Sequence, residues 1–191
     1  LAVQAVTLGD TALAAQVYEV DGRIDKAERD IESLCLKLLL QQQPVATDLR
    51  VISSALKMIT DLERIGDQAS DIAEMSRFTA GGDDKCASDL REMAKEAVKM
   101  VNESIDSFVK KDLVMARSVI AYDSVVDRWF ERIKTDLIAC ISEDNTRGEY
   151  YLDQLMVAKY LERIGDHATN IAEWVEYSIL GRRSKDGVMS E

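Results

Sequence analysis

The chain has 191 residues, with one proline, nine glycines, 47% hydrophobic and 31% charged residues; it is long enough to bury a substantial core, and its few breaks favour long helices over short strands. A formal net charge of −11 repels nucleic acid and anionic lipid, so neither is expected as a partner. No apolar run reaches the ~18 residues of a membrane span and no signal-peptide pattern opens the chain, so a cytoplasmic protein without direct membrane insertion is expected.

In chain order, the breaks are "GD" at 9–10, "QQQPVATD" at 41–48, "TAGGDD" at 79–84, "KKD" at 110–112 and "SEDNTRGE" at 142–149. Each ends in an N-cap or first-turn acid, and helices of roughly 25 to 33 residues are predicted between them. In the helix over 12–42, Leu13, Val17, Val20, Ile24, Ala27, Ile31, Leu34 and Leu38 recur at spacings of three and four, the stripe of an amphipathic helix. Cys35, Cys86 and Cys140 are odd in number and far apart, which argues against a disulfide framework or zinc finger and fits a reducing compartment. Cys35 and Cys140 fall in apolar helical patterns and read as buried thiols.

The two halves align. "LERIGDQASDIAE" at 62–74 and "LERIGDHATNIAE" at 161–173 share ten of thirteen residues at an offset of 99, while 9–25 aligns with 111–127 at an offset of 102. The expected fold is therefore all-α: two tandem three-helix bundles over 1–80 and 81–181, followed by a flexible tail at 182–191. In that tail Arg182, Arg183 and Lys185 read as a solvated basic cluster. The helix over 85–109 has only "LAVQAVTL" as its counterpart, and on that register about twenty residues of an opening helix are expected ahead of Leu1.

Each repeat carries two acid pairs. Glu63 and Asp67, and Glu162 and Asp166, are four residues apart and share a helix face; Asp21 and Asp25, matched by Asp123 and Asp127, do the same one helix earlier. Antiparallel packing about the turns predicts Asp25 near 65 and Asp21 near 69, and Asp127 near 163 and Asp123 near 167. Four such carboxylates cannot all stay ionised without cations, and acids projecting from facing helices are how carboxylate metal centres are built. The alternative is that they face water or pair with Arg64, Arg163, Lys57 and Lys159. Gly66 and Gly165 point to a close approach beside the acids, since glycine inside a helix costs roughly 1 kcal/mol against alanine. Arg64 and Arg163 are candidates to orient the carboxylates or to pair at the surface. His167, the sole histidine, replaces Gln68 and is read as a packing residue before a ligand; Asn170 replaces Asp71, so two metal sites need not be alike.

The residues "QQPVATDLRVISSALKMITDLERIGDQASDIAE" and "VAKYLERIGDHATNIAEW" resemble the PhoU family over essentially the whole chain, with Pro44, Asp48, Leu49 and Arg50 beside the two LERIGD blocks. The resemblance implies a regulator that associates with the Pst phosphate transporter, through its ATPase subunit, and with a sensor histidine kinase, keeping phosphate-starvation genes off when phosphate is plentiful. It also implies a homodimer and a multinuclear metal cluster, with iron, zinc, manganese and magnesium as occupants, held by a Glu/Asp-x-x-x-Asp motif that transfers onto Glu63 and Asp67 and onto Glu162 and Asp166. This chain departs from the pattern in that most of its opening helix is missing from the sequence, in Asn170 and in lacking a second Pro44 turn. No nucleophile with a base, Gly-rich cradle or phosphate loop is present, so no enzyme is expected. A di-iron carboxylate enzyme would need Glu-x-x-His on two helices, which one histidine does not supply; a structural helical adaptor without metal is the other alternative.

Overall fold

The computed structural model describes residues 1–77 and 85–182. The "TAGGDD" turn, the Cys86 side chain and the tail residues Arg183 and Lys185 lie outside them. The described residues form six α-helices: α1 (Ala2–Leu8), α2 (Thr11–Gln42), α3 (Ala46–Glu74), α4 (Lys85–Lys110), α5 (Leu113–Glu143) and α6 (Gly148–Leu180). Single 3-10 turns follow α3 at Met75–Arg77 and precede α6 at Asn145–Arg147. None of these helices is long and apolar enough to cross a membrane.

The first turn of each repeat is made the same way. Gly9, at φ 63, ends α1 in the left-handed conformation, and the Asp10 carboxylate then accepts from Ala12 and Leu13 N–H at 2.9 and 3.1 Å. In the second repeat Lys111 takes that role at φ 52, and Asp112 accepts from Met115 N–H at 3.0 Å. The break around Pro44 falls where the spacing places it, with α2 running to Gln42 and α3 starting at Ala46 without a side-chain cap at Val45.

Packing centres on α6, which lies against α3, α4 and α5. On α4 the buried positions Leu90, Met93, Ala97, Met100, Ser104 and Ser107 keep spacings of three and four, the stripe that makes this segment an amphipathic helix. They meet Val119, Val126, Ile133 and Leu137 of α5 and Val157, Leu161, Ile164, Ala168, Ile171 and Val175 of α6. Met58 and Ile72 of α3 join this cluster, so the two repeats share one core. Each such Leu, Ile, Met or Val stabilises by roughly 1.5–3 kcal/mol when fully buried. Glu176, 1% exposed on its side chain, is held by Arg117 Nε and Nη2, both at 2.9 Å.

The predicted stripe on α2 is covered only near its start. Val17 is buried with Ala5, Ala14 and Ala73, whereas Val20, Ile31 and Leu34 are exposed and Cys35 is the buried residue further along. Among the described residues α1 covers only the start of α2, and Ile31 is 38% exposed, whereas the matching Ile133, on the helix packed against the 26-residue α4, is fully buried. Burial raises the Cys35 thiol pKa, and Cys35 and Cys140 are both unpaired thiols. At the far end, Arg50 of α3 lies over Gly181, the left-handed residue that closes α6; a Cβ there would meet Arg50 Nη1 at 3.1 Å. A guanidinium at this position complements the negative end of the α6 dipole.

A lysine in the left-handed region carries a backbone cost that glycine avoids. Lys111→Gly, which copies Gly9, is expected to raise stability by about 0.5–1 kcal/mol in denaturant titration.

Candidate metal centre

The two acid groupings form on the outer sides of the bundle, one between α2 and α3 and one between α5 and α6. In the first, Asp21 lies against Gly66 and Ser70: Ser70 Oγ donates to Asp21 Oδ2 at 2.8 Å, and a Cβ on Gly66 would sit 2.5 Å from Asp21 Oδ1. That Oδ1 is buried and accepts no hydrogen bond. Arg64 stays in its own repeat, with Nη1 at 3.1 Å from Asp67 Oδ2 and Nε at 3.5 Å from Glu63 Oε2. Burial first, then the charges of Asp67, Glu28 and Asp25 against the opposing Arg64, raise the Glu63 pKa. Asp71 is raised by burial and by Asp67, Glu74 and Asp21, with Arg163 of the other repeat opposing. Glu28, absent from the predicted set, thus belongs to the same electrostatic neighbourhood.

The second grouping repeats the plan with different neighbours. Thr169 Oγ1 donates to Asp123 Oδ1 at 3.1 Å, matching the Ser70 bond. Lys159 is ion-paired with Glu162, taking the place Arg64 has in the first repeat. Burial raises Asp127, followed by Asp123 and Glu162, with Lys159 and Arg128 opposing. Asp166 stands at an exposed position, yet partial desolvation and then Asp123, Glu162 and Asp127 raise it, with Lys159 opposing. Gly165 serves packing rather than a carboxylate, since its Cβ would meet Val126 Cγ1 at 3.3 Å.

His167 and Asn170 leave this nest and cross to the other repeat, where His167 Nδ1 and Asn170 Nδ2 lie 2.9 and 3.2 Å from Asp61 Oδ1. Neither is thus placed to tune the second nest; one residue along a helix is a turn of about 100°, which carries His167 away from the Asp166 face. Ser70 and Thr169, outside the predicted set, belong to the nests, and their signal in the sequence is a hydroxyl at the same position of both repeats.

As a donor set the nests fit hard cations: all oxygen, mutually repelling, with one carboxylate oxygen buried and unbonded in the first. Among the described residues no three His, Cys, Asp or Glu side chains converge closely enough to hold one ion as they stand. The nests therefore gather ligands of the right class without closing on a point, and Arg64 and Lys159 occupy the positions a cation would contest.

Glu63, Asp71, Asp127 and Asp166 bind protons more tightly in the folded chain than in the unfolded one. Their contribution favours the fold fully below the ordinary carboxylate pKa and is lost as pH rises through the raised values. The contribution of these groups to the melting temperature is accordingly expected to grow as pH is lowered from neutrality toward the ordinary carboxylate range of about 4, less so in a chain carrying Asp127→Asn and Asp166→Asn. Gly66→Ala is expected to displace the Asp21 carboxylate, which its Cβ would meet at 2.5 Å, and to lower the melting temperature, whereas Gly165→Ala acts through Val126 and leaves Asp21 in place.

The PhoU domain family model matches residues 1–76 and 90–175. A phosphate-specific transport system accessory protein PhoU homolog of Pseudomonas aeruginosa is 39% identical over 182 residues, covering 94% of this chain and 75% of that protein. A PhoU homolog 1 of Thermotoga maritima is 32% identical, covering 97% of this chain and 81% of that one. The crystal structure of PhoU from Pseudomonas aeruginosa superposes with a TM-score of 0.90 at 39% identity, over 95% of this chain and 88% of that one. The PhoU structure from Streptococcus pneumoniae, at 24% identity and a TM-score of 0.85 over 95% and 86% of the two chains, shares the fold. Matched twice along its length by the family model and aligned over 94% of its own length with the Pseudomonas aeruginosa relative, the chain belongs to the PhoU family.

Proposed function

We propose that this protein is a cytoplasmic, metal-binding negative regulator of phosphate uptake and of the phosphate-starvation response. It acts as an adaptor between the ATPase subunit of the phosphate transporter and a sensor histidine kinase, as a homodimer and without catalysis of its own. The observation that carries the reading is the duplicated nest, with Asp21, Asp25, Glu63 and Asp67 in one repeat and Asp123, Asp127, Glu162 and Asp166 in the other, each with a hydroxyl donated to its first aspartate. The relatives' names supply the phosphate-transport context, as accessory proteins of such systems. Iron or zinc is the leading occupant of a multinuclear cluster, with manganese or magnesium as further candidates. A bound ion would offset the burial and then the mutual repulsion that raise Glu63 and Asp166, and so stabilise the fold.

Deleting the gene is expected to derepress phosphate-starvation genes in phosphate-rich medium. The wild-type gene restores repression, and one carrying Glu63→Gln, Asp67→Asn, Glu162→Gln and Asp166→Asn does not. Protein purified without chelator is expected to carry stoichiometric metal and to melt several degrees lower in EDTA, by linkage of binding to folding. Normal repression in the deletion strain would remove the regulatory reading, and metal-free protein indifferent to EDTA would remove the metal.

A further inference from the structure

The seam between α3 and α6 is antiparallel and closed by two polar groupings that the internal repeat relates but does not copy. On one side Asp61 Oδ1 receives both His167, at 2.9 Å from Nδ1, and Asn170, at 3.2 Å from Nδ2. An ionised carboxylate only accepts, so the His167 hydrogen is assigned to Nδ1. The side chains of Asp61 and His167 are 15% and 18% exposed, which keeps water from competing freely for the bond. At the offset of 99, Tyr160 stands for Asp61, Gln68 for His167 and Asp71 for Asn170. There Tyr160 faces Asp71, which is also within the field of Arg163. One side is thus a carboxylate held by two donors from the other repeat; the other is a phenol beside a carboxylate and a guanidinium.

We propose that Asp61, His167 and Asn170 form a one-sided latch that fixes the register of α3 against α6, and that the second-repeat changes to His167 and Asn170 exist for this contact rather than for the acid nest. Three features support it. Both donors converge on a single oxygen of the opposite repeat, where either alone would leave the register less defined. His167 and Asn170 are three residues apart on α6, the spacing that lets two side chains reach one point from one face. At the position of Asp61 the other repeat carries Tyr160, whose phenol offers no carboxylate to receive two such donors, so the latch forms on one side alone.

The test is a double-mutant cycle on the full chain, read by melting temperature and by amide hydrogen exchange. Asp61→Ala and His167→Ala are each expected to lower the melting temperature by about 3–8 °C. The double variant should be no worse than Asp61→Ala, because removing the acceptor already removes both bonds. Asp61→Asn, which keeps an acceptor oxygen, and His167→Gln, which keeps a donor, should retain most of the stability. Exchange should quicken in the turns of α3 around 58–64 and of α6 around 164–170, with the α4 and α5 amides unchanged. Should Asp61→Ala not fold, His167→Ala supplies the same exchange readout with one bond removed. Additive losses in the cycle, exchange that quickens evenly across all helices, or conservative variants as unstable as the alanine ones would each overturn the latch.

Discussion

One constraint runs through the molecule: α6 packs against three helices at once. From Tyr151 to Ser178 its buried residues occupy most of its circumference, and the exposed positions reduce to a strip holding Leu152, Met156, Lys159, Arg163 and Asp166. Beyond Asp166 no residue before Leu180 is exposed, and Glu173 and Glu176 lie inside the protein. The acids of the second nest are therefore found where the solvent strip of α6 ends beside α5. Helices that must be apolar nearly all round leave few places for charge, and the charges that remain crowd together.

The same crowding gives the two nests different characters. In the first, Glu63 and Asp67 are held by Arg64, and Asp21 presents a buried oxygen over Gly66. In the second, Lys159 holds Glu162 and Arg163 leans toward Asp71 of the other repeat. Position 159 is Thr60 in the first repeat, so the lysine has no counterpart there. Asp71 draws one arginine across the seam, while neutral Asn170 exerts no such pull and Arg64 stays with its own acids. An ion entering either nest would meet a different resident cation, and the two would differ in the charge to be displaced.

Much of this was legible in the sequence, because period and repetition are one-dimensional signals. The helices, their order and the facing of Asp21 toward Ser70 and of Asp127 toward Glu162 follow from spacing and turn position. What spacing does not encode is the rotation of one helix pair against another. His167 and Asn170 sit beside the nest in the sequence and reach across to Asp61 in the fold, a contact between residues more than 100 positions apart. The α2 stripe foretold the helix over Thr11–Gln42, and among the described residues its apolar face is covered near its start, around Ala14 and Val17. Gly66 and Gly165 read alike on paper, yet one makes room for a carboxylate and the other for a valine.

Arg50 over Gly181 bears on how separable the repeats are. Arg50 of the first repeat lies over Gly181 at the last turn of the second, while Met58 and Ile72 of the first repeat are buried in a core that mostly belongs to the second. Duplication has left two copies of a unit that no longer own their boundaries. A second half cut free of the first would lose Arg50 from the end of α6 and leave the α3 side of its core open, so the boundary between the repeats in sequence is not a boundary in the fold.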